Sequence, residues 1–77
     1  MRPAPPSRAP TEVRATLKEL VETRGDSLAA LSRMVRMGDG YLQQFIAYGI
    51  PNRLPPDVRR LLAVYFDVTE HELGAGF

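Results

Sequence analysis

Residues 27–49, SLAALSRMVRMGDGYLQQFIAYG, decide the fold. Leu28, Leu31, Met34 and Val35 fall at helical spacing before the turn Arg36-Met37-Gly38-Asp39, and Tyr41, Leu42, Phe45 and Ile46 fall at the same spacing after it. The stretch predicts two short amphipathic helices with a tight, glycine-containing turn between them. Helices joined so closely cross steeply, which leaves one face of the second turned outward. Ser27 is the expected N-cap of the first helix of the pair, which ends near Val35. Ser32, near the small residues Ala29 and Ala30, is placed at the crossing with its hydroxyl bonded back to the Leu28 carbonyl; an ordinary small residue on a helix face is the plainer reading. Gly38 and Gly40 flank Asp39 and permit a left-handed backbone or close approach of another backbone. The second helix is expected from Asp39 or Gly40 to Tyr48, stopped by Gly49 and Pro51.

Further helices flank this pair. Upstream, Val13, Leu17, Leu20 and Val21 predict a helix from Glu12 to Arg24, with Thr11 as N-cap, Gly25 as terminator, and Arg14 and Lys18 on its wet side. Downstream, Ile50–Pro55 reads as a proline-stiffened loop. A helix opening at Pro55 or Pro56 then carries Val58, Leu61, Leu62, Tyr65 and Phe66 as its apolar face, with Arg59 and Arg60 on the outer side. Thr69 and Glu72 stand in capping-box positions, with Val68 and Leu73 as the hydrophobic staple, so a last helical turn ends at Gly74. The expected architecture is all-α, a compact bundle of four to five short helices around a central helix-turn-helix. It spans 11–74, behind a flexible proline-rich arm at 1–10 and before a frayed tail at 75–77. Four of the seven prolines lie in that arm.

Composition narrows the function. Seventy-seven residues make one domain, and one this small buries only about 60% of the surface its unfolded chain exposes. There is no cysteine and a single histidine, His71. Disulfides and thiolate metal sites are excluded, and no cofactor or metal is expected. No apolar run reaches the length of a membrane span, and MRPAPPSRAP lacks the apolar core of a secretory signal; a cytoplasmic protein is expected. No carboxylate pair or Ser/His arrangement suggests catalysis. Net charge is +1, but unevenly spread. Across 27–60, Arg33, Arg36, Arg53, Arg59 and Arg60 stand against Asp39 and Asp57, whereas 61–77 has Asp67, Glu70 and Glu72 with no Lys or Arg. The positive excess thus gathers around the central stretch, where a polyanionic partner would need it; a solvated mixed-charge surface is the alternative.

Over 11–74 the chain resembles the lambda-repressor-like (Cro/C1-type, XRE) helix-turn-helix domain. RMVRMGDGYLQQFIAYGI is similar to the family stretch in which Met-Gly precedes the recognition helix and Gly-Ile follows it. The block from YLQQFI through RLP and RRLLA to ELG is similar to the N-terminal DNA-binding domains of bacterial S24-peptidase (LexA-like) repressors, in which a self-cleaving dimerisation domain follows. No such second domain lies within these residues. Arg36 stands where the family usually has its turn glycine, and Ser32 where it usually has alanine.

The resemblance implies transcriptional regulation, by a repressor or its N-terminal domain, through sequence-specific binding of double-stranded DNA. The recognition helix, about 39–48, would enter the major groove, and the protein would be nucleoid-associated. By position, Asp39, Gly40, Tyr41, Gln43 and Gln44 fall on the groove-facing start of that helix. Gln43 and Gln44 suit adenine, whose N7 and N6 an amide engages together. Tyr41 has two readings, a DNA contact through its hydroxyl or ring, or a half-buried core edge. Asp39 also has two, helix N-cap or acceptor from cytosine N4. Ser27, Arg33, Arg36, Tyr48 and Arg53 are the phosphate-contact candidates. A dimer on two half-sites is expected, weak or monomeric when free. The rival is a protein-interaction module of the same fold without DNA contact, which the low net charge and Asp39 favour.

Overall fold

The computed structural model describes residues 10–75. These form four α-helices, α1 (Pro10–Arg24), α2 (Leu28–Met34), α3 (Tyr41–Tyr48) and α4 (Pro56–Phe66), followed by a 3-10 turn (Glu70–Leu73). There is no strand among the described residues, and the molecule is a small all-α bundle.

Left-handed glycines punctuate it where the sequence placed stops. Gly25, Gly49 and Gly74 follow α1, α3 and the 3-10 turn with φ of 72°, 68° and 100°, a backbone that glycine adopts without steric cost. Ser27 caps α2, its Oγ accepting from Ala30 N at 3.2 Å. At the 3-10 turn both arms of the capping box are present: Thr69 Oγ1 accepts from Glu72 N, and Glu72 Oε2 accepts from Thr69 N.

The core is one cluster. Val13, Leu17 and Val21 of α1 meet Leu31 and Val35 around α2, Leu42 and Phe45 of α3, Leu54 of the loop, the inner face of α4, and Leu73. Leu17, Leu42, Phe45 and Leu62 are fully buried at its centre. Burying side chains of this size contributes about 1.5–3 kcal/mol each. α1 packs against both α3 and the 3-10 turn, and α4 packs against the 3-10 turn. One polar lock joins the ends of α1 and α4. Tyr65 Oη donates to Asp26 Oδ1 at 2.7 Å, and the Arg24 guanidinium lies 4.7 Å from the Tyr65 ring centroid.

Four expectations need correcting. α1 begins at Pro10, so Thr11 lies inside the helix and is not its N-cap; proline fits the first helical position because that N–H has no intrahelical partner. Pro10 therefore belongs to the folded unit, while the rest of the arm lies outside the described residues. Ala75 is tied in, its N–H donating to Glu70 O at 2.9 Å, and residues 76–77 lie outside the described range. Finally, the inner face of α4 is rotated. At about 100° per residue, steps of four turn the face by only about 40°, so Val58, Leu62 and Phe66 form one narrow stripe. Ala63 completes the buried face, Leu61 is 42% exposed, and Arg59 lies half-buried with Nε 3.0 Å from Glu70 Oε1. Arg59 was expected on the outer side; the rotation brings it against the 3-10 turn.

Candidate nucleic-acid interface

The side chains of α3 divide cleanly. Leu42 and Phe45 are buried, and Tyr41 and Ile46 are partly buried against the core. Gln43, Gln44, Ala47 and Tyr48 are all exposed, Tyr48 at 75%. Spaced i, i+1, i+4 and i+5, they share an arc of about 140° on the side away from the core. This outward strip carries two amides, a methyl and a phenol, and no formal charge.

What fixes the strip is the hold on each end of α3. The first amides of a helix have no intrahelical acceptor. Gly40, the N-cap, has no side chain to offer one. Ser32 supplies it from α2: its buried Oγ accepts from Leu42 N at 3.1 Å while donating to Leu28 O at 2.7 Å. The hydroxyl placed at the crossing thus bonds back as expected and also caps the next helix. At the other end, Arg14 of α1 donates from Nε to Ile46 O at 3.2 Å and from Nη2 to Ala47 O at 3.3 Å. A cation there satisfies terminal carbonyls and meets the negative end of the helix dipole. Gly49 then turns left-handed, its N–H donating to Phe45 O at 2.9 Å. A Cβ at Gly49 would stand 3.0 Å from Arg14 Nη1, so any side chain there would press on the guanidinium as well as strain φ. Arg14, expected on the wet side of its helix, lies half-buried across α3 instead. It flanks the Val13–Leu17 stripe, and a long side chain there reaches a neighbour that helical periodicity does not reveal.

The turn differs from expectation. Its left-handed residue is Arg36, at φ 66°, and neither Gly38 nor Gly40 has positive φ. Arg36 N donates to Arg33 O and Met37 N donates to Ser32 O, both at 2.9 Å. That is the Schellman pattern with arginine in the usual glycine place. Gly38 and Gly40 face open space where a Cβ would be. Asp39 is not the N-cap of α3; its Oδ2 lies 2.9 Å from Arg33 Nη1 in an exposed ion pair.

The remaining candidates are scattered. Tyr41 is half-buried, and its hydroxyl is itself buried without a hydrogen-bond partner, which pushes its pKa up from 10.0. Contact with DNA through that oxygen requires the ring to move. Ser27 lends its oxygen to Ala30 N, which leaves its hydroxyl proton available. Arg53 sits in the loop before α4, beside Pro10 and Gly74. Arg36 lines a groove with α4, a groove that no α3 residue borders. Lys18, with Thr11 and Arg14, borders Ile46 of α3. The structure therefore brings Gln43, Gln44 and Tyr48 together on one strip, with Arg33 and Asp39 paired at the turn before it, and sets Arg36 in a separate groove.

Among the described residues no group of three or more His, Cys, Asp or Glu side chains could hold a metal ion, and no helix is long and apolar enough to cross a membrane. No protein-family model, curated protein or solved structure matches the chain.

Proposed function

We propose that this chain is a sequence-specific double-stranded DNA-binding domain of the lambda-repressor-like helix-turn-helix kind, acting as a transcriptional regulator of repressor type, with α3 as the helix that enters the major groove. The observation that supports this best is the outward strip of α3, uncharged and amide-bearing, on a helix held at both ends by Ser32 and Arg14. Base edges are read by amides in fixed positions, and an amide on a rigid helix loses little freedom on binding.

Gln43 and Gln44 read bases, and cations around the strip hold phosphates. Arg53 approaches from the loop, Lys18 stands beside the C-terminal half of α3, and Arg33 exchanges its exposed pairing with Asp39 for a phosphate oxygen. An exposed pair of this kind is worth only about 0–1 kcal/mol, so the exchange is cheap. With few such cations one domain binds weakly. The free chain is then a monomer that pairs on half-sites about one helical turn, ~34 Å, apart. Its place is the cytoplasm, on the nucleoid.

Titrating random duplex DNA at low and moderate salt tests the class of function. Binding that weakens with salt is expected. Binding insensitive to salt, or none, overturns the DNA reading and gives the strip to a protein partner. Selection from a random DNA pool then supplies a site on which the roles separate. Arg53→Ala weakens all sequences alike and lowers the salt slope by about 1. Gln44→Ala relaxes preference at one base position, where a bidentate amide supplies roughly 1–3 kcal/mol of discrimination. Uniform loss on every sequence for both variants contradicts this division of roles.

A further inference from the structure

Arg36 and α4 border a second surface that the DNA reading does not use. A groove of about 490 Å³ runs between the end of α2, the turn and α4, lined by Met34, Arg36, Met37, Asp57, Arg60 and Leu61 among others. Met34 and Leu61 are 37% and 42% exposed. Methionine adapts to irregular apolar partners and recurs on peptide-binding surfaces. Arg36 and Arg60 are exposed and form no ion pair among the described residues. The one carboxylate on the rim, Asp57, lies in the first turn of α4, where the positive end of the helix dipole answers its charge. Arg36 also holds a left-handed backbone, which glycine adopts more readily than a residue with a side chain.

We propose that this groove is a docking site for an acidic amphipathic helix of a partner protein, whose apolar residues enter between Met34 and Leu61 while its carboxylates meet Arg36 and Arg60. Charge complementarity selects this occupant. A DNA backbone would engage the arginines but has no use for the exposed Met34 and Leu61. A second copy docked about a two-fold axis would set Arg36 and Arg60 against the same two arginines, with only Asp57 to answer them. An amphipathic helix meets both features, with anchors at i, i+3, i+4 and i+7.

The test is an amide NMR titration of the whole 77-residue chain with a capped peptide of about 15 residues, leucines at i, i+3, i+4 and i+7 and glutamates elsewhere. Saturable shifts are expected at 34–37 and 57–61, with 43–48 unmoved. Arg36→Gly keeps the fold, because it relieves the left-handed backbone, and weakens the peptide at least about tenfold, a loss of roughly 1.4 kcal/mol. Met34→Gln with Leu61→Gln, both at exposed positions, weakens it likewise. The proposal is overturned by the absence of saturable shifts, by shifts centred on α3, or by equal binding of a peptide with the same residues in scrambled order. It is overturned too by shifts at these residues that follow protein concentration alone, which assign the groove to a second copy. If Arg36→Gly lowers the salt slope of DNA binding and leaves the peptide unaffected, the arginine serves DNA instead.

Discussion

The two ends of α3 are held by different chemistry. At the start, a neutral hydroxyl with no solvent access bridges two helices, Ser32 Oγ standing between Leu28 O and Leu42 N. At the finish, a half-buried guanidinium reaches over from α1 to two carbonyls, beside a glycine that leaves it room. The first hold is short-range, dry and indifferent to salt. The second is partly wet and open to screening. Gln43 and Gln44 stand near the first hold and Tyr48 near the second. The side chains proposed to read bases are thus mounted on the stiffer end, and the one proposed to touch the backbone on the more adjustable end.

The largest expected effect comes from the dry end. Ser32→Ala leaves Leu42 N a buried donor without an acceptor and destabilises the domain by about 1–3 kcal/mol, read from urea unfolding. A loss well under this range would mean that Leu42 N finds another acceptor and that the two holds are closer in worth than their burial suggests. Gly49→Ala comes next, at about 1–2 kcal/mol, because the left-handed backbone disfavours a Cβ. Since that Cβ also stands 3.0 Å from the Arg14 guanidinium, Gly49→Ala and Arg14→Ala are expected to be less than additive in a double-mutant cycle. Strict additivity would separate the glycine from the clamp.

The smallest effect is set by pH and lies outside α3. The hydrogen bond to Asp26, with desolvation behind it, raises the pKa of Tyr65 from 10.0, and burial raises that of Tyr41. A phenol with a raised folded-state pKa contributes stability that is fully present below its unfolded value and is lost as pH rises through the folded value. Thermal unfolding followed from neutral pH to above 10 is expected to show a decline that begins near 10.0, smaller in Tyr65→Phe. An unchanged decline in Tyr65→Phe would place its origin elsewhere.

Much of the fold was legible because its signals are local. Ser27, the Thr69–Glu72 box and the glycines at 25, 49 and 74 each act within a few residues of themselves, and the stripes of α1 and α3 follow helical spacing. The misreadings fall where a side chain or backbone answers to a partner other than the one its position suggests. Gly38 and Gly40 look like the left-handed positions, yet the length of α2 puts that backbone on Arg36. Asp39 looks like a cap and pairs with Arg33. Arg14 looks solvated and spans to α3, 32 residues away in sequence. The apolar face of α4 reads as including Leu61, but Ala63 is buried in its place and Arg59 turns in to pair with Glu70 of the 3-10 turn. Of the candidate interface, the strip Gln43–Gln44–Tyr48 follows from periodicity alone. The groove beside Arg36 does not, because it is made by two elements that meet only in the fold.

The hold on α3 by Ser32 can be measured at a single atom. Amide hydrogen exchange at Leu42, compared between the wild-type chain and Ser32→Ala, reports whether the buried hydroxyl is its acceptor. Protection at Leu42 is expected to fall further than at Phe45, whose amide lies deeper in the same helix, beyond what the global loss of stability explains. Equal loss of protection at both amides, or none at Leu42, would contradict the claim that Ser32 caps and positions α3.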